Sequence, residues 1–292
     1  MGVEFFLLAA FLAMVCWGFG DFLIQKSVRK IGALESLAFI GLIGAIGILP
    51  FILPSIYLIF SLQNLLVLLL LGVVTFIGAI FDFEALKKGK LSVIEVVIEL
   101  ELPITIILAF LLFNEGISVF QLLLIVPIFF GIILMAVESK HLKQLNIFKR
   151  LEKGVILGLC AAVGMGAINV LTGFSAREIS PLMAIWVPWV VIAIVSFVII
   201  LQKGELGKTF KQVSKVKWLV IATGIVDTFA WLFYAFSVSS YNLGIITAIT
   251  ESYPAIAIIL AVLINHERIG KHQWIGVGVT LVASVLLAVT LM

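Results

Sequence analysis

Charge is what this chain has least of. Only 12% of its 292 residues are Asp, Glu, Lys or Arg, against about 25% in an ordinary soluble domain. A water-facing surface of normal polarity cannot be clothed with so few. The formal net charge is +3, and no basic stripe with interleaved aromatics is present, so nucleic acid is excluded as a partner. Cysteine is scarce as well. Cys16 and Cys160 both fall in apolar runs, where a thiol packs as a small hydrophobe. The three histidines, His141, His266 and His272, lie in connections at no metal-ligand spacing. No metal or other cofactor is expected. HExxH, a nucleophile elbow and Cys-x-x-Cys are all missing. Gly207-Lys208-Thr209 has the end of a phosphate loop, but Gln202 stands where the first glycine is required, which argues against an ATPase. The first apolar run is too long for a signal peptide and has no basic segment before it, so it reads as a true span.

What the chain does have is apolar length. Hydrophobic residues make up 63% and the mean hydropathy is +1.29. Runs of about 18 or more apolar residues recur throughout, the mark of transmembrane helices. The expected spans are 5–25, 34–58, 65–86, 92–113, 120–137, 154–174, 182–201, 218–238, 243–264 and 274–291. The runs are continuous rather than alternating, which excludes a β-barrel. The expected fold class is an all-α membrane protein of about ten transmembrane helices.

Basic residues are segregated by connection. Lys26, Arg29 and Lys30 follow the first span, and Lys87, Lys88 and Lys90 the third. Lys140, Lys143, Lys149, Arg150 and Lys153 follow the fifth. Lys203, Lys208, Lys211, Lys215 and Lys217 follow the seventh, and Arg268 and Lys271 the ninth. Of the 19 basic residues only Arg177 lies in an even-numbered connection. By the positive-inside rule the basic connections are cytoplasmic. Both termini are then extracytoplasmic, in a multi-pass protein of the cell (plasma) membrane.

The two halves of the chain repeat one another. Pro103 aligns with Pro254 and Asn114 with Asn265, each at a spacing of 151. One inserted residue brings Glu115 onto Glu267, Ile117 onto Ile269 and Gln121 onto Gln273. Ala85 aligns with Ala235, and Gly18 and Gly20 with Gly164 and Gly166. Five spans per half is an odd number, so the second half is expected upside down relative to the first. That is the inverted-repeat plan of secondary transporters, with the substrate near the midplane. The boundaries are 1–137 for the first repeat, 138–153 for a basic connecting loop and 154–292 for the second repeat.

These features resemble the EamA family of the drug/metabolite transporter superfamily: Trp17-Gly18 in the first span, the mid-span Pro103 and Pro254, and the Asn-Glu-x-Ile and His-Glu-Arg-Ile connections followed by Gln121 and Gln273. The resemblance covers nearly the whole chain. It implies a ten-helix transporter with a central cavity, moving amino acids, metabolites, sugars or drugs, often outward. Several members of that family keep both termini in the cytoplasm, whereas the charges here place them outside.

Acidic residues within apolar spans are the strongest site signal, because a charge there is costly and commonly functional. Glu99 and Glu101 lie in the fourth span, Asp227 in the eighth and Glu251 in the ninth, and no Lys or Arg falls inside any expected span. Such carboxylates suit a proton, a metal ion or a cationic group of a substrate. Glu95 and Glu99 share a helical face, and Glu101 is turned about 200° from Glu99 at about 100° per residue. Glu99 and Glu251 also share the face of the helix-breaking Pro103 and Pro254. A proline leaves the carbonyl four residues earlier without its helical donor, so the carbonyls of Glu99 and Thr250 are expected to be free. Glu99 and Glu251 are therefore preferred over Glu101.

Asp227, Trp231 and Tyr234 form one stripe of the eighth span. Trp17, Asp21, Asn169, Trp186 and Tyr253 complete the expected binding set, and Trp186 and Trp189 flank Pro188 on one face. Asp82 and Glu84, close to Lys87 and Lys88, read as interfacial and salt-bridged. Gly41, Gly44 and Gly47 read as close-packing positions. Glu115 and Glu267 are expected to brace the helices that follow them.

The partners implied are a small-molecule substrate, protons and the lipid bilayer, in a monomer or homodimer. A secondary transporter is the leading function. A membrane component that binds or senses without transport, and an intramembrane enzyme on a lipid-linked substrate, are the alternatives.

Overall fold

A computed structural model describes residues 3–89, 94, 97–136, 154–265 and 270–290. The basic connection 138–153 lies outside the described residues, as do Lys90, Glu95, His266, Glu267, Arg268 and Ile269. The described chain is almost entirely helical. In order the helices are α1 (Val3–Ile31), α2 (Ala33–Ile52), α3 (Leu62–Lys88), α4 (Glu101–Phe113), α5 (Val119–Ala136), α6 (Val155–Glu178) and α7 (Pro181–Gln202). They continue as α8 (Leu206–Lys215), α9 (Lys217–Val238), α10 (Leu243–Thr250), α11 (Tyr253–Asn265) and α12 (Lys271–Val289). A 3-10 segment, Leu53–Phe60, prolongs α2 beyond Pro50.

Among the described residues, seven helices are long and apolar enough to cross a membrane: α1, α2 with its 3-10 extension, α3, α6, α7, α9 and α12. Two of the three expected spans missing from this set have a local cause. The expected fourth and ninth spans are broken. After helical Ile98 the chain turns at Glu99 and Leu100 before α4 begins; after α10 it turns at Glu251 and Ser252 before α11 begins. Thirteen residues at 1.5 Å each reach about 20 Å, short of the roughly 30 Å hydrocarbon core, so neither half-helix spans alone.

Pro103 and Pro254 explain where the breaks fall. Each sits in the first turn of the helix after its break. A missing N–H costs nothing in a first turn, because those N–H groups have no intrahelical acceptor. The prolines thus start α4 and α11 rather than kinking a continuous helix. The carbonyl of Glu99 accepts the Leu102 N–H at 3.1 Å. The expectation of a free carbonyl there is corrected by this tight turn.

The aligned glutamines also acquire a reason. Gln121 and Gln273 are each the third residue of a helix, and each turns its side chain back to the capping residue. The Ser118 N–H donates to Gln121 Oε1 at 3.0 Å, and the Gly270 N–H to Gln273 Oε1 at 2.7 Å. Both satisfy a helix-end donor that would otherwise lack a partner. Asn114 ends α4 with φ of 54°, a left-handed geometry that Asn tolerates better than most side chains.

The helices pair in a matched pattern. α2 packs on α7, and α5 on α12. α1 packs along α9 as α3 does along α6, and α1 meets α11 as α6 meets α4. Exchanging the first half for the second leaves this set of pairs unchanged.

Connections sort onto two faces. The Arg29 guanidinium donates to the Gly89 carbonyl at 2.9 Å, joining the connections after α1 and α3. α8, in the basic connection after α7, touches α1. It is amphipathic, with Thr209 and Val213 buried and Lys208 and Lys211 outward, the pattern of a helix lying along a membrane surface. On the opposite face Arg177 donates to the carbonyls of Val238, at 2.8 Å, and Tyr241. Phe6, near the start of the chain, packs on Tyr241 with ring centroids 5.5 Å apart. Thr290, near its end, accepts from Gln121 at 3.2 Å. Both ends of the described chain therefore share the face of Arg177, opposite the basic connections.

Candidate functional site

A cavity of about 70 Å³ lies between the two halves. α1, α2, α3, α6, α7 and α9 form its walls, together with both broken spans; α5 and α12 stay outside it. Its lining residues fall in the central and basic-face parts of the long helices: Asp21 and Ile24 on α1, Leu37 and Ile40 on α2, Asp82 and Phe83 on α3. Toward the Arg177 face Tyr234 packs behind Trp17 and Trp231, its hydroxyl 2.8 Å from Thr247 Oγ1, and the Arg177 network lies beyond.

Two carboxylates come from the breaks. Glu101 begins α4 and Glu251 ends the α10 segment, and both line the cavity. Glu99 is 1% exposed but is not among the lining residues. The break rotates the chain, so the fourth span presents Glu101 to the cavity, reversing the preference drawn from an unbroken helix. Asp21, Asp82 and Asp227 add three more carboxylates. Asp82 was expected at the interface with Glu84, and the structure separates the two. Glu84 pairs with Lys87 at 3.3 Å and Lys88 at 2.9 Å, whereas Asp82 is buried and faces inward. Two positions apart on a helix is about 200°, so the neighbours take opposite surroundings.

The aromatic residues form one packed group. The rings of Trp17 and Trp231 meet edge to face with centroids 5.2 Å apart, Trp17 lies 6.3 Å from Tyr253, and Trp189 lies 6.2 Å from Trp231. Trp186 and Trp189 share a face around Pro188, but only Trp189 is among the cavity's lining residues. Its indole N–H donates to Thr228 Oγ1 at 2.9 Å. Gly44 makes this possible, because a methyl there would overlap the indole. Gly47, by contrast, faces open space. Tyr234 is fully buried behind Trp17 and Trp231 and supports them without lining the cavity. Trp186 points away, donating to the Ala45 carbonyl at 2.9 Å. Asn169 lines the cavity and donates to Thr105 Oγ1 at 3.2 Å. Thr75 and Met165 also line it and carried no sequence signal.

Glycines resolve the register of the repeat. A Cβ at Gly18 would meet Ile256 and the Tyr253 carbonyl; a Cβ at Gly166 would meet Ile104 and the Glu101 carbonyl. Gly18 therefore corresponds to Gly166, not to Gly164, and Asp21 corresponds to Asn169.

A family model of the EamA-like transporter family matches residues 5–137 and again residues 152–289. The chain belongs to that family. The two matches cover both halves, so this EamA-like chain is a multi-pass membrane protein built from two family repeats. A solved crystal structure of a protein is similar to it, with a TM-score of 0.72 and 15% identity over 97% of each chain; at that identity the likeness is one of fold. No curated protein matches the chain. The family is one of transporters, and among the described residues of this EamA-like chain no group of three or more His, Cys, Asp or Glu could hold a metal ion.

Proposed function

We propose that the chain is a secondary transporter of a small organic solute, working by alternating access across ten spans in two inverted five-helix repeats. The observation that carries this is the pair of matched breaks. Each half interrupts its fourth span at an acidic turn, and both turns, with Glu101 and Glu251, meet the cavity between the halves. Broken helices that cross at a shared site are the means by which repeat transporters place polar groups at the membrane midplane. Counting each broken span once, and adding α5, raises the seven long helices to ten.

The exchange-symmetric helix pairing supports a two-fold relation between residues 1–137 and 154–292. The sorting of connections onto two faces supports an orientation with the basic face in the cytoplasm and both termini outside the plasma membrane. The cavity's lining runs from the centre of the long helices toward the basic face, which supports a site reached from the cytoplasm. At about 70 Å³ it is far smaller than the roughly 300–1,000 Å³ of pockets that bury a drug-sized ligand. It therefore widens on loading or takes a small solute. Export linked to proton entry suits a cavity lined by carboxylates.

Purified protein in liposomes tests this directly. Flux of a solute found by thermal stabilisation is expected, dependent on a pH gradient in the wild type and independent of it in Glu101→Gln/Glu251→Gln. Ligand binding with no flux in either direction would instead make the chain a binding or sensing component.

A further inference from the structure

We propose that the cavity takes a substituted ammonium: an organic cation with an apolar body and no carboxylate of its own. The proposal deepens the transporter reading and rests on it only for the movement of the ligand, not for its binding.

Asp227 carries the argument. Its side chain lies on the cavity wall at 7% exposure. Among the described residues it has no hydrogen-bond or ion-pair partner. A carboxylate held away from water must be matched by a positive charge or by a proton, and the wall offers no charge to match it. The described lining residues include Asp21, Asp82, Glu101, Asp227 and Glu251 but no Lys, Arg or His. The match for Asp227 has to enter from outside.

The surroundings of Asp227 select what enters. Trp231 stands one turn further along the same helix, Trp17 and Trp189 pack against its ring, and all three line the same cavity. The Trp189 N–H is already committed to Thr228, so the ring offers a ligand its carbon framework rather than a donor. Indole faces attract ammonium groups through the ring quadrupole. An inorganic divalent cation requires about six or more oxygen ligands gathered around one point. The carboxylates here are dispersed among aromatic walls, and no described cluster converges as a metal site. A zwitterion or an organic anion would bring its own carboxylate against Asp227, with no Lys, Arg or His among the described lining residues to receive it, and like charges repel strongly in a low dielectric. Free amino acids are thereby disfavoured, although they belong to the substrate range that the family resemblance implies.

Four matched probes sharing one phenyl body decide the question: phenethylamine, benzyltrimethylammonium, phenylalanine and phenylacetate. Binding is measured with the purified full chain by calorimetry and by shift in melting temperature. Both cations are expected to bind at least about tenfold more tightly than the zwitterion and the anion, a gap of about 1.4 kcal/mol. Asp227→Asn is expected to weaken cation binding at least about tenfold, and Asp227→Glu to retain most of it. The wild-type selectivity stands as evidence even if the asparagine variant does not fold.

Equal or tighter binding of phenylalanine or phenylacetate would overturn the proposal. So would cation binding that is unchanged in a folded Asp227→Asn protein, or no binding of either cation, which would leave the carboxylates to protons alone. The same probes in liposomes separate the two claims. Cation binding without flux sinks transport and leaves the ligand class intact. Flux of phenylalanine but of neither cation sinks the ligand class and leaves transport standing.

Discussion

Glu115 holds two elements at once: one carboxylate oxygen pairs with Arg177 at the end of α6, and the other accepts the Leu243 N–H at 2.7 Å, at the start of α10. Arg177 and Glu115 thus tie α6, the α4–α5 connection and α10 together. The pair is largely buried, with side-chain exposures of 20% and 16%, so its loss is expected to cost about 1–3 kcal/mol. Glu115→Gln should lower the melting temperature. It should also speed labelling of a cysteine placed at Thr247 by an impermeant maleimide added from the terminus side. Unchanged labelling would show that the pair does not hold that face closed.

Gly44 and Trp189 offer a more local test. Gly44→Ala forces the indole to move and breaks its bond to Thr228. Core overpacking of this kind costs about 1–3 kcal/mol. Reduced stability is expected together with a change in tryptophan fluorescence and weaker ligand binding. Gly47→Ala, facing open space, should leave all three within error, and a loss there equal to that of Gly44→Ala would refute the packing account.

The paired glycines test the repeat register. Gly18→Val pushes α1 from α11, and Gly166→Val pushes α6 from α4. Each is expected to destabilise the fold by roughly 1–3 kcal/mol and to impair transport. Gly164→Val is sterically different, since it strikes backbone at Gly78 between α3 and α6, and it should destabilise without shifting either broken span. Crosslinking yields between cysteines at Ile256 and Phe19, compared across the three variants, measure the difference.

Topology gives the last prediction. A reporter active only in the cytoplasm, fused after Met292, should be silent, and the same reporter inserted between Gly204 and Leu206 should be active. The reverse pattern would invert the assignment of the two faces.

Much of this architecture could be read directly from residue order. Apolar runs located the long helices because a lipid-facing helix must be apolar along its whole length. The loop charges marked out two faces because Lys and Arg concentrate in the connections on one side of a membrane protein. Pro103, Pro254, Gln121 and Gln273 marked the repeat because each serves a helix start, and helix starts are written in local sequence. What could not be read was rotation. At the Glu99–Leu100 turn the helical period is interrupted, so counting degrees per residue assigned Glu99 to the cavity where Glu101 stands. Asp82 was missed because its neighbour Glu84 does pair with lysines, and proximity in sequence suggested a common fate. The Trp189 position depended on Gly44, a contact across 145 residues of chain that no local pattern records.

The correspondence of Asp21 with Asn169 has one more consequence. A two-fold machine with identical halves would present the same vestibule to either side of the membrane as it rocked. Here one repeat contributes an acid and its partner an amide at the same station. On the proposed transport cycle, a charged solute would therefore meet an acid in one vestibule and an amide in the other.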